Sequence, residues 1–276
     1  VKFAVSNIAW APEDRVKAYA MLGVRGISGL EIAPGLFFEG AQDVFVPDIQ
    51  ETRTALSAVR AAGLELVSMQ SLLFGVNGAA LFGAPNEQTQ FIDGMERAIV
   101  LAGRLEIPNI VFGSPRQRVI PSEMNNVSAM KHALSVFSRL GDLAYDHGTS
   151  IAIEANPPAY GTNFLNDLDA VDRFVRTAKH PAISICLDLG AMHMNGDFAS
   201  LPKRIPDLVS QIGHVHVSEP ALTPAPADPI ALRPVIAALA ASGYERAISI
   251  EMAHVADDAS LAVLSSSLNR LLEACA

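Results

Sequence analysis

Two hydrophobic rhythms alternate along this chain. Short runs dense in aliphatic and β-branched residues are followed by longer stretches in which apolar residues recur at three- and four-residue steps. The short runs predict strands at KFAVS (2–6), SGLEIA (28–33), LELVSM (64–69), NIVFG (109–113), SIAIEA (150–155), ISICLDL (183–189), IGHVHVS (212–218) and AISIEM (247–252). The helical rhythm is clearest at 87–105, where Phe91, Met95, Ala98, Ile99 and Ala102 form one apolar stripe. Residues 128–147 repeat it with Leu134, Phe137, Leu140 and Leu143, and Gly148 follows as a helix stop. Helices are also predicted at 12–22, 50–62, 166–178, 229–241 and 258–273. The segment 198–210 is interrupted by Pro202 and Pro206 and predicts a short helix at best.

Eight strands separated by seven helical segments, with an eighth after the last strand, give the count of a (β/α)8 TIM barrel. The strands read as buried on both faces, as parallel strands are. No linker or low-complexity tract divides the chain, so residues 1–276 are expected to form a single barrel domain. Two connections stand out. EPALTPAPADP (219–229) follows strand seven, where a barrel carries functional loops, and QSLLFGVNGAALFGAPN (70–86) follows strand three. The second reads as a lid over a pocket, or as a loop packed on the barrel end or against another subunit, and a homodimer or homotetramer fits the last reading.

Composition narrows the classes. The 276 residues are 50% hydrophobic and 18% charged, with mean hydropathy +0.28, and no apolar run approaches the ~18 residues of a membrane span. The start, VKFAVSNIAW, lacks the basic-then-apolar order of a signal peptide. Cys186 and Cys275 are the two cysteines, so no disulfide framework is expected and a reducing cytoplasm is the default compartment. A net charge of −9 and pI near 5.2 argue against a nucleic-acid partner, whose phosphates call for positive charge.

The chemistry begins at GHVHVSEP (213–220). His214 and His216 alternate with Val215 and Val217, so both imidazoles share one face of a strand and are expected to face the barrel axis. Three further strands end in a group that a metal accepts: Glu154 in IAIEAN, Asp188 in ICLDLG and Glu251 in ISIEM. From Glu154 through Asp188 and His216 to Glu251 the steps are 34, 28 and 35 residues. A barrel of ~250 residues repeats about every 31, so the four occupy equivalent places in successive units. The residue two before each is Ala152, Cys186, His214 or Ser249, small or polar in every case, while the alternate face is aliphatic. Any one of the four alone is an ordinary structural polar group, but their common spacing and facing make a site. Three converging carboxylates need a cation to stay ionised. Three carboxylate oxygens and one imidazole nitrogen suit one divalent metal ion, Mn²⁺ or Mg²⁺ first, Co²⁺ or Zn²⁺ as alternatives. A metal that chelates a hydroxy-ketone acidifies the adjacent C–H, and flanking carboxylates can then move that proton.

IAIEANP, CLDLG, GHVHVSE and ISIEM together resemble the xylose isomerase-like TIM barrels, the sugar phosphate isomerase/epimerase group, which includes ketose 3-epimerases, inosose dehydratases and endonuclease IV. The resemblance covers nearly the whole chain and is weakest before residue 100. It implies an isomerase or epimerase of a small sugar or sugar derivative. Glu154 and Glu251 would exchange the proton, while Asp188 and His216 hold the metal and the enediolate. A dehydratase or lyase acting on an inosose or keto-sugar is the alternative on the same scaffold. An endonuclease IV-like phosphodiesterase would need more metal ligands and a DNA-binding face. A non-catalytic sugar- or metal-binding barrel is the reading from outside enzymology. Two positions depart from the family pattern. The histidine often found three residues after the strand-six aspartate is Ala191 here, with His193 two further on. No arginine follows the metal histidine until Arg233.

Other residues are read with less to distinguish them. His193 is a candidate substrate contact. In GSPRQR (113–118), after strand four, Arg116 and Arg118 could hold a phosphate or carboxylate, with Arg116 preferred as nearer the strand end. Glu31 could meet the site, Glu65 lies away from it, and His214 reads as a hydrogen-bonded residue beneath it. Trp10 is an apolar wall or a packed rim. His254 is expected in a surface loop, and His132, His147 and His180 in structural places.

Overall fold

All eight predicted strands are present in the computed structural model, which describes residues 1–255 and 259–276. They are β1 (Lys2–Ser6), β2 (Gly29–Ile32), β3 (Glu65–Met69), β4 (Ile110–Phe112), β5 (Ile151–Glu154), β6 (Ile183–Asp188), β7 (Ile212–Val217) and β8 (Ala247–Ile250). Each pairs in parallel with the next in chain order, and β8 returns to β1, so the sheet closes into a barrel. Among the described residues the connecting helices are α1 (Arg15–Val24), α2 (Pro34–Phe37), α3 (Ile49–Ala61), α4 (Pro85–Arg104), α5 (Asn126–Asp146), α6 (Leu168–Ala178), α7 (Leu189–Asn195), α8 (Leu201–Leu208), α9 (Pro229–Ala241) and α10 (Ser260–Cys275). None is long and apolar enough to cross a membrane. Both cysteines are free.

Local chemistry explains the helix starts. Asp48 and Glu51 bond each other's backbone N–H at 2.7 Å in a capping box that opens α3. Asn125 and Asp167 cap α5 and α6 through their side-chain oxygens, at 2.9 and 2.7 Å. The proline reading of 198–210 needs correction at one point. Pro202 does not interrupt a helix but sits in the first turn of α8, where its missing N–H has no partner to lose. Pro206 lies inside α8, and 3₁₀ turns at Phe198–Ser200 and Val209–Gln211 flank it. The short helices α2 and α7 have no apolar period long enough to be read from sequence.

Apolar packing falls into two layers. The main core lies between sheet and helices. Within it Phe91, Phe112, Phe137, Phe174 and Phe164 form a chain of aromatic contacts with centroids 5.1–6.3 Å apart. The barrel interior is filled by much smaller groups: Ala4, Val67 and Ala247 in one cluster, Val111, Ala152 and Cys186 in another. The remaining interior is polar and buried, with Ser6, Glu31, Ser68, His214, His216 and Ser249. Small residues leave the barrel axis open to these side chains.

The register of β6 on β7 has one irregularity with a large effect. Ile185 pairs with Ile212, but Cys186 pairs with His214, so Gly213 is skipped. Because side chains alternate, an unbroken ladder would keep His214 on the face of Ile212, opposite Ile185 in the outer layer. The extra residue rotates His214 and His216 to the face of Cys186 and Asp188, inside the barrel. Glycine is required there, since a Cβ at position 213 would lie 2.0 Å from Ser184 Oγ and 2.8 Å from Ser184 Cβ. Gly213→Ala is therefore expected to lower stability by about 1–3 kcal/mol through overpacking, read by urea denaturation. Wild-type stability in that variant would mean that the close approach of β7 to β6 is not needed.

Candidate metal centre

The irregular register brings four side chains to one level. Asp188 and His216 are direct ladder partners at the ends of β6 and β7. Glu154 pairs with Cys186, two residues before Asp188, and His216 pairs with Ser249, two residues before Glu251. Glu251 lies just past β8, but its N–H still donates to Val217 O at 3.0 Å, which extends the ladder to the ligand. The four groups offer one atom each within 4.8 Å of one another. His216 Nδ1 lies 3.2 Å from Glu251 Oε2, 3.6 Å from Glu154 Oε2 and 3.7 Å from Asp188 Oδ2. His216 is 0% exposed, Asp188 and Glu251 each 7%.

These residues suit a dication. His216 Nδ1 is buried without a hydrogen-bond partner, at the point where three carboxylates converge. Such an orphaned polar atom is costly unless something fills its lone-pair direction. Three hard oxygens and one imidazole nitrogen form a donor set for Mn²⁺, Mg²⁺, Co²⁺ or Zn²⁺.

Neighbouring groups hold each ligand. Asp188 caps α7: Ala191 N–H donates to its Oδ1 at 2.6 Å, while Ser218 Oγ–H donates to Oδ2 at 2.6 Å and itself accepts from Gly190 N–H at 2.9 Å. Asn156 donates from its amide to Glu154 Oε1. Asn156 and Ser218 each stand two residues beyond a ligand, Glu154 and His216, and their same-face position was the signal that sequence reading overlooked. Glu31, which the sequence placed only as a group that could meet the site, does meet it. It is 0% exposed, and each of its carboxylate oxygens lies 3.1 Å from His216 Nε2, with Oε1 also 3.4 Å from His214 Nε2. Its signal was an acid between Leu30 and Ile32 in a strand with no other polar side chain.

The electrostatics follow from burial and crowding. In the metal-free protein, burial pushes the Glu251 carboxyl up to about 7, aided by the charges of Glu154 and Asp188 and opposed by His216. Burial opposes charge on His216, yet Cys186, Glu251, Glu31 and Asp188 together outweigh it and hold the imidazole well above its ordinary value. Burial likewise acts against ionised Glu31, but the two histidines hold it well below the usual carboxylate range. Burial lowers His214, against the pull of Glu31.

Other residues singled out in the sequence lie outside this cluster. Arg118, expected to face a substrate, is instead turned inward and wholly buried. Its Nη2 donates to Glu154 O at 2.9 Å, and the guanidinium sits 5.7 Å over the Phe112 ring. Burial brings it down to about 10, so it remains a cation beside Glu154. Arg116 is exposed on the 3₁₀ turn Pro115–Arg118 and does not line the opening above the four ligands. His193 is exposed on α7, stacked on Phe198 at 3.9 Å, and borders a separate cavity of about 80 Å³. Trp10 is a packed residue, edge-on to Tyr19 at 6.1 Å. The 70–86 connection packs down through Leu72, Leu81 and Phe82 and leaves Phe74 60% exposed beside the opening. That opening has two lobes of about 350 and 330 Å³, and Glu154 and Glu251 line both.

The family model described as xylose isomerase-like TIM barrel matches residues 16–272. Comparison with curated proteins finds no sequence match. Among solved structures, D-psicose 3-epimerase from Clostridium cellulolyticum H10, with D-tagatose, superposes with TM-score 0.73 at 15% identity, covering 98% of this chain and 90% of that one. The E. coli 3-keto-D-glucoside 4-epimerase gives 0.72 at 17% identity, covering 98% and 99%. D-allulose 3-epimerase from Methylomonas sp., in complex with D-allulose, gives 0.73 at 16%, covering 99% and 95%. At these identities the likeness is one of fold.

The raised Glu251 carboxyl has a measurable consequence. Between its ordinary value of 4.5 and about 7, the folded metal-free protein keeps a proton there that the unfolded chain has lost. Stability from this group is therefore present below pH 4.5 and is lost as pH rises through 7. Relative to Glu251→Gln, the metal-free wild type is expected to lose on the order of 3 kcal/mol across that window, measured by urea denaturation in chelator. Parallel pH profiles for the two proteins would show an ordinary carboxyl.

Proposed function

The chain belongs to the xylose isomerase-like TIM barrel family, and we propose that it is a divalent-metal-dependent epimerase or isomerase of a small sugar or sugar derivative. The observation that carries this reading is the cluster of Glu154, Asp188, His216 and Glu251 at the C-terminal ends of β5–β8. It is supported by the fold shared with epimerases of ketoses and of a keto-glucoside. Those four residues would hold the ion. A divalent cation supplies Lewis acidity at such a site, drawing charge from a carbonyl and acidifying the C–H beside it.

The chain's own groups divide the proton work. Glu154 is set up as a base. Asn156 donates to one of its oxygens, and the buried Arg118 donates to its backbone carbonyl, so the carboxylate is held in place on the wall of the opening. Glu251 stands on a wall of the same opening as Glu154, where it can hold the proton that is returned. With both glutamates on the walls of one opening, one removes the proton from the carbon beside the carbonyl and the other returns it to the opposite face of the enediolate. Return to the neighbouring carbon gives isomerisation instead.

The walls favour an uncharged polyol. Phe74, Leu73, Pro115 and Leu222 offer apolar surface, while Gln70 and Gln117 offer hydrogen bonds. No lysine, arginine or histidine lines either lobe among the described residues. A phosphate there would meet Glu154, Asp188, Glu219 and Glu251 without a cationic side chain to pair with.

The test is a panel of free and phosphorylated ketoses, keto-glycosides and inososes with added Mn²⁺, read by deuterium uptake from D₂O at carbon and by product stereochemistry. Exchange with inversion or carbonyl migration is expected on an unphosphorylated member, and loss of water instead would identify a lyase. Glu154→Gln and Glu251→Gln are each expected to lower turnover about 10²–10⁴-fold while binding substrate. Chelation should abolish exchange. Full exchange in the chelated protein would overturn the metal requirement, and full turnover in either variant would overturn that residue's role.

A further inference from the structure

We propose that Glu31 is the positioning residue of the metal centre, holding the proton of His216 on Nε2 so that Nδ1 is the nitrogen offered to the ion. This inference rests on the metal-centre reading above and assigns a role to a residue outside the ligand set.

The geometry is specific to that task. His216 has two ring nitrogens with opposite surroundings: Nδ1 faces Glu154, Asp188 and Glu251, and Nε2 faces Glu31. A neutral imidazole has one N–H and one lone pair, so Nδ1 can act as a ligand only when the proton sits on Nε2. Both oxygens of Glu31 stand 3.1 Å from Nε2, within hydrogen-bond reach of that proton. Glu31, His214 and His216 are each 0% exposed, so water has no access to take over the acceptor's part. Glu31 is held in turn by its strand, since it pairs with Ser6 of β1 on one side and with Ser68 of β3 on the other. At Ser68 the ladder skips Val67, which sets Glu31 and Ser68 on the same face. His214, edge-on to His216 with centroids 5.0 Å apart, brings its own Nε2 within 3.4 Å of Glu31 Oε1. A carboxylate behind a ligating imidazole also increases the electron density at its metal-facing nitrogen.

Glu31→Gln separates this role from mere packing. The amide has nearly the same shape but one acceptor oxygen in place of two, and it carries an N–H₂ group. To satisfy that group against two imidazoles, one Nε2 must become an acceptor, which drives its proton to Nδ1. Titration of metal-stripped full-length protein with Mn²⁺ by calorimetry is expected to give one ion per wild-type chain and a Kd about 10–100-fold higher in Glu31→Gln. The metal-free melting temperature and circular dichroism reveal whether that variant folds. A second measurement needs no variant: in the Zn²⁺-loaded wild type, long-range ¹H–¹⁵N correlation is expected to show the His216 proton on Nε2 and the metal on Nδ1. A folded Glu31→Gln with wild-type Kd overturns the proposal, as does metal on Nε2. Two ions per wild-type chain also overturn it, since a cation would then replace the proton between Glu31 and His216. A wild type that binds no Mn²⁺ removes the metal centre itself and Glu31's role with it. That failure is distinct from tight wild-type binding that the variant leaves unchanged.

Discussion

Negative charge gathered in a nearly dry space constrains everything else at the C-terminal end of this barrel. Glu154, Asp188 and Glu251 converge on the one free nitrogen of His216 from distances of 3.2–3.7 Å. Neither burial nor mutual repulsion favours three ionised groups there, so the surrounding structure supplies what stabilisation it can. Asp188 receives the N-terminus of α7 and the Ser218 hydroxyl, Glu154 has Asn156 and Arg118, and His216 has Glu31 on its far side. Among the described residues Glu251 has no comparable donor, and it is the group whose affinity for a proton rises. A dication meets the same demand for all of them at once.

The barrel satisfies this demand through its interior. Ala4, Val67, Ala152 and Ala247 are too small to close the axis, which leaves room for buried polar groups, Ser6, Glu31 and Ser68 on adjacent strands and His214 and His216 on β7. The large aliphatic and aromatic groups that stabilise the fold are kept in the outer layer, against the helices. This separation explains how chains 15–17% identical can share the whole architecture. The outer layer needs only apolar groups of suitable total volume, which many sequences supply. The opening above the ligands is under no such constraint, and here it is walled by Phe74, Leu73 and Leu222 without a cation among the described residues.

Sequence reasoning reached the strands, the (β/α)8 order and the four-residue cluster for one reason. A closed parallel barrel repeats the same unit, so residues at unit spacing on the inward face must meet near the axis. It was weaker where position depends on a neighbour rather than on a period. Pro202 looked like a helix breaker until its place in the first turn of α8 was known. Arg118 was read as a cation that could hold a phosphate or carboxylate, yet the 3₁₀ turn after β4 turns it inward to the Glu154 carbonyl. His193 fell on the functional face but turned to stack on Phe198.

Chain chemistry by itself determined the eightfold alternation, the apolar outer layer and the ligand types carried at four successive strand ends, because these follow from local periodicity. Tertiary structure alone decided by which register the histidines reach the axis, a facing that alternation had already predicted, and which side chains Glu31 meets there. Both rest on single skipped residues, Gly213 against β6 and Val67 against β2. A one-residue shift exchanges the two faces of a strand. Nothing within a strand's own sequence records which of its residues a neighbouring strand will pass over.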